Sequence, residues 1–74
     1  MRFPSKKELE HYRKEYPVGC RVELVSMDDP QAPPIGTKGT VHGVDDAGSL
    51  LVRWDTGSGL NVILGVDVVR KIRG

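Results

Sequence analysis

A chain of 74 residues has room for one small domain, and with 38% hydrophobic and 5% aromatic residues its core must be thin and mostly aliphatic. Eleven Lys and Arg against ten Asp and Glu leave a formal charge of +1, which excludes both the bulk positive field of a non-specific nucleic-acid binder and the charge excess of a disordered tail. The single cysteine, Cys20, excludes an intramolecular disulfide framework and a thiolate zinc cluster, and no apolar run approaches the ~18 residues of a membrane span.

The start Met1-Arg2-Phe3-Pro4-Ser5-Lys6-Lys7 lacks the apolar segment of a secretory signal, so a cytoplasmic, reducing compartment is expected. Ser5 followed by Glu8 is a capping-box pattern, in which the hydroxyl accepts an amide of the first turn and the carboxylate reaches back. Helix formers fill Lys6 to Glu15, with Leu9, Tyr12 and Tyr16 on one narrow stripe, and Pro17 and Gly19 end the run. About ten residues of helix are marginal alone, so that stripe is expected to dock on the remaining domain.

From Cys20 onward the period changes to two. Arg21-Val22-Glu23-Leu24 alternates as a half-buried strand should. Met27 to Ile35 carries two Asp and three Pro and reads as a long loop stiffened by Pro33-Pro34. Val41 and Val44 belong to a second strand, Gly39 to Val44, put out of phase by a bulge or bend at Gly43. Asp45-Asp46-Ala47-Gly48 is a hairpin turn. In the third strand Leu50, Val52 and Trp54 face inward, because that phase leaves Arg53 and Asp55 in water. After a turn at Thr56-Gly57-Ser58-Gly59, a fourth strand takes Leu60, Val62 and Leu64 inward and Asn61 outward. Gly65-Val66-Asp67 reads as a short helical turn and Val68 to Ile72 as the last strand, whose phase the sequence leaves open.

Long loop, hairpin, hairpin, helical turn and final strand follow in the order of an SH3-like fold. The expected architecture is therefore mainly β: a five-stranded SH3-like small barrel, closed or half-closed, with one N-terminal α-helix over about residues 6–15. Residues 1–17 supply the helix and connection and residues 18–74 the barrel, as one structural unit.

The run Pro34-Ile35-Gly36-Thr37-Lys38-Gly39-Thr40-Val41, then Trp54-Asp55 with Gly57, Leu60-Asn61-Val62, Gly65-Val66-Asp67 and Val69-Arg70-Lys71-Ile72, forms a specific combined pattern. Together with Tyr16-Pro17-Val18-Gly19 and Arg21 to Leu24, it resembles a family of small bacterial and phage proteins described only as a domain of unknown function. The resemblance spans roughly Tyr16 to Ile72 and brings no catalytic residues with it. It implies a bacterial, phage or mobile-element setting. A weaker likeness, carried by Gly36 to Val41, is to SH3-like modules among RNA- and ribosome-associated proteins.

Candidate chemistry is sparse. His11 and His42 fall on different elements, neither beside an obvious nucleophile, so no enzyme is expected and Cys20 is not read as a catalytic thiol. Asp28-Asp29 and Asp45-Asp46 lack the spacing of a calcium loop and read as turn formers; no metal or cofactor is expected. Thr56 to Gly59 precedes a strand, not the helix a phosphate loop needs.

Two binding readings remain. The loop residues Asp28, Asp29, Pro30, Pro33 and Pro34 occupy the place where SH3-like domains display a recognition loop, and prolines lower the cost of holding it ready. The basic residues Lys6, Lys7, Arg21, Arg53, Arg70, Lys71 and Arg73 would form one nucleic-acid-binding face if the helix and the last strand are neighbours. The favoured expectation is a non-catalytic module for a protein partner, with an RNA- or DNA-binding accessory as the alternative, no membrane association, and homo-oligomerisation through an unpaired edge strand left open.

Overall fold

The computed structural model describes residues 4–72. The first element is the helix α1, Lys6–Glu15, and it begins where the capping box requires. Ser5 Oγ accepts the Glu8 amide at 3.2 Å while a Glu8 carboxylate oxygen accepts the Ser5 amide at 3.3 Å. Two of the helix's orphan donors are thereby satisfied. Leu9, Tyr12 and Tyr16 pack against the core, as their spacing predicts. Arg13 adds a hydrogen bond to the Val44 carbonyl at 3.2 Å and an ion pair to Asp46 at 3.1 Å.

Five strands follow: β1 (Arg21–Ser26), β2 (Lys38–Val44), β3 (Ser49–Trp54), β4 (Val62–Ile63) and β5 (Val68–Ile72). They form one antiparallel sheet in the order β4-β3-β2-β1-β5. One face carries the core: Val22, Leu24, Val41, Leu50, Val52 and Val62 are fully buried and Trp54 nearly so. The inward phase of β3 is the one the sequence predicts. The bulge in β2 also occurs: Val41 pairs with Val52 and Gly43 with Leu51, leaving His42 as the extra residue. At the hairpin, Asp45 Oδ1 accepts the amides of Ala47 and Ser49, and Gly48 takes φ 84° to close the turn.

Three expectations are corrected. The barrel is not closed: among the described residues no ladder joins β4 to β5, so these two strands are the edges of an open sheet. The fourth strand is only two residues long. Its beginning is diverted because the Leu60 carbonyl accepts the Trp54 indole N–H at 2.8 Å. Its end is cut by the segment read as a helical turn, where Gly65 adopts φ 93°, a left-handed conformation that no α-helix contains. Instead, the Ile63 carbonyl accepts the amides of Val66 and Asp67, and the Asp67 carboxylate accepts the Ile63 amide at 2.9 Å. The phase of β5, which the sequence leaves open, is set by a bulge in β1 between Leu24 and Ser26, which pairs Val69 with Leu24 and Lys71 with Val22 on the core side.

Candidate functional site

The register sorts the basic residues into separate places. Two cross-strand rows lie on the sheet face opposite the core: Ile72, Arg21, Thr40 and Arg53 in one, and Arg70, Glu23 and Lys38 in the next. Asp55 extends the second row, its amide donating to the Lys38 carbonyl at 2.9 Å. Arg21 grips Asp55 through two hydrogen bonds of 2.8 and 2.6 Å and also reaches Thr40 Oγ1 at 3.0 Å. This bidentate contact holds the Asp55 carboxyl below the usual carboxylate value and raises Arg21 further. Arg70 pairs with Glu23 at 3.1 Å. Lys38 and Arg53 form no ion pair among the described residues.

Lys71 is on the other side, beside the helix. It pairs with Glu15 at 3.2 Å and lies 6.0 Å from the Tyr16 ring centroid. Lys6 and Lys7 are exposed in the first turn of α1. The single basic face expected from Lys6, Lys7, Arg21, Arg53, Arg70 and Lys71 is thus divided, because odd and even residues of β5 face opposite ways. Arg73 lies outside the described residues.

The proline loop is divided too. Asp28, Asp29, Pro30 and Pro34 are exposed, but Pro33 is buried and cannot meet a partner. Asp29 spends one carboxylate oxygen on the Gln31 amide at 2.8 Å. Asp28 and Asp29 instead line a cleft of about 370 Å³ together with Ile63, Val66 and Asp67. On the far side of Ile63 and Val66 lies a second, mostly apolar cleft of about 800 Å³, walled by Glu8 and Tyr12 of α1 and by Gly48 of the hairpin. Ile63 and Val66 are shared by both clefts and remain 51% and 72% exposed. They form an apolar ridge between two hollows.

Sequence reasoning passed over this ridge. Its trace in the sequence lies in β4, where an inward Val62 sends Ile63 outward by alternation. Val66 was concealed by the reading of Gly65 to Asp67 as a helical turn.

Burial pushes the Cys20 thiol above its ordinary value, with Lys71 pulling weakly the other way. Among the described residues no three His, Cys, Asp or Glu side chains gather as metal ligands, and Asp45 acts as the turn former its sequence suggests. No helix is long and apolar enough to cross a membrane.

A family model described as Domain of unknown function (DUF4314) matches residues 5–72. The match begins at the capping serine, so the helix is part of the family's domain. Comparison with curated proteins and with solved structures finds no match.

Proposed function

The chain belongs to the family Domain of unknown function (DUF4314), and within it we propose that this protein is a cytoplasmic, non-catalytic binding module whose partner is another protein, in a bacterial or phage setting. The observation that carries this reading is the ridge of Ile63 and Val66 between two clefts. Single exposed aliphatics are ordinary, but adjacent ones flanked by hollows are what an interface core requires. The ridge is also held in place beforehand. Both hydrogen-bonding groups of the Ile63 backbone are engaged by the following turn, so little ordering entropy is left to lose on binding.

Burial raises the Cys20 thiol, the opposite of the shift an activated nucleophile needs, which supports reading that residue as non-catalytic. A free, half-buried cysteine is also at home in a reducing cytoplasm. The bacterial or phage setting rests on the resemblance of the motif pattern.

Selection from a random peptide display library tests the reading. Peptides recovered on the protein should lose binding to Val66→Asp and Ile63→Ser, while Arg53→Glu retains it; Trp54 fluorescence verifies that each variant is folded. Recovered peptides that bind all three variants equally would overturn the assignment of this surface.

A second reading has its own observation. The outer face holds Arg21, Lys38, Arg53 and Arg70 against only Glu23 and Asp55, and both carboxylates are already paired. Lys38 and Arg53 are then the cations available to phosphates. Among the described residues no Phe, Tyr or Trp side chain accompanies them, since Trp54 is buried, so such binding would be electrostatic and lost at physiological salt.

A further inference from the structure

Resting on the protein-binding reading above, we infer that the occupant of the Ile63–Val66 ridge is a basic segment with apolar anchors, bound through its side chains and not as an added strand. Charge makes the first half of the case. Among the described residues no Lys or Arg lines either cleft. Four carboxylates do: Glu8 on the helix side, and Asp28, Asp29 and Asp67 on the loop side. Asp28 makes no hydrogen bond or ion pair among the described residues, so its charge is uncompensated. Arg21, Lys38, Arg53 and Arg70 lie on the outer face of the sheet, away from both clefts. Glu8 is already engaged in the capping box, so the acidic rim of the ridge is its loop side, at Asp28, Asp29 and Asp67. A partner that buries aliphatic groups there must also bring positive charge to the rim, where complementarity governs encounter and excludes acidic competitors.

Backbone geometry makes the second half. β4 is an edge strand, and edges invite strand addition. Here the invitation is withdrawn. The Ile63 amide donates to Asp67 Oδ2, and the Ile63 carbonyl takes the amides of Val66 and Asp67. The strand's outer edge is capped by its own following turn. What remains accessible is side-chain surface: the two aliphatic groups and the hollows on either side. Clefts of about 800 and 370 Å³ admit a large and a smaller apolar side chain, one on each flank of the ridge.

The test is a titration of methyl-labelled protein with three synthetic 12-residue peptides: one of mixed Lys, Leu and Trp, one with Glu replacing every Lys, and one with Ser replacing every Leu and Trp. The expected result is that only the first moves the Ile63 and Val66 methyl signals, saturably and more weakly as salt is raised. Asp28→Asn with Asp29→Asn should weaken it roughly three- to tenfold, the range for one or two exposed charge contacts. In that double variant the amide oxygen introduced at position 29 still accepts the Gln31 amide, so the loop keeps its turn. Should the acidic peptide move the same methyl signals as strongly, the inferred partner chemistry is wrong while the ridge survives as a binding surface. Should all three peptides leave those signals still, both this inference and the reading beneath it fail.

Discussion

Gly39 shows how one residue can be fixed by its neighbours. It sits on the core face between Val22 and Trp54 in register, and it is buried. A Cβ there would lie 2.6 Å from Val52 Cγ1, 2.9 Å from the Trp54 ring and 3.0 Å from the Arg53 carbonyl. The indole and the Val52 methyl occupy the space that a side chain would take. Gly39→Ala should therefore destabilise the fold by about 1–3 kcal/mol through overpacking, read as a lower urea midpoint by Trp54 fluorescence. An unchanged midpoint would show that the Trp54 side chain can yield. Asp55 bears on acid stability. Its carboxyl ionises at lower pH folded than unfolded, because the Arg21 guanidinium binds the charged form. Its contribution is complete above the unfolded value of about 3.9 and is lost as pH falls through the folded value. Wild type should lose stability more steeply than Asp55→Asn between about pH 5 and pH 2; parallel decline in urea melts would contradict this. Both residues were partly legible. Alternation placed Asp55 in water, but the pairing with Arg21 crosses β2 and depends on a register no single strand reveals.

The helix was the most legible element, since its capping box, stripe and terminator are all local. Ser5→Ala removes one half of the box and should cost about 1 kcal/mol, a fall of roughly 4–8 °C in melting temperature for a domain of this size. Ser5→Asp should restore most of it, as an equivalent cap; a melting temperature indifferent to both would mean that docking of Leu9, Tyr12 and Tyr16 alone holds the helix. β1, β2, β3 and β5 were legible from their alternation or their flanking turns. β4 was not, because what shortens it comes from elsewhere. The Leu60 carbonyl is claimed by an indole six residues earlier, and the Ile63 backbone by a turn whose glycine reads equally well as helical. The proline loop failed for a related reason: composition marks it as stiff, but only packing decides that Pro33 faces inward while Asp28 and Asp29 face the ridge.

At the scale of the molecule, an open sheet leaves two edges that are guarded differently. β4 is capped by its own turn, whereas β5 carries Arg70 and Lys71, charges that oppose pairing with a second copy in an antiparallel arrangement. The ridge lies where the chain passes from one edge to the other. Opposite the core, the sheet presents its cations, so the two readings of function lie on separable surfaces and one spectrum can distinguish them. The decisive measurement is a titration of uniformly labelled protein, in parallel, with the peptides returned by library selection and with a mixed pool of short RNA and DNA at low and physiological salt. The account predicts that the peptides shift the amides of Ile63 to Val66 and of Asp28 and Asp29, and that any nucleic-acid shifts at Lys38 and Arg53 vanish at physiological salt. Nucleic-acid shifts across Arg21, Lys38, Arg53 and Arg70 that persist at physiological salt, with residues 63–66 silent towards every peptide, would contradict it.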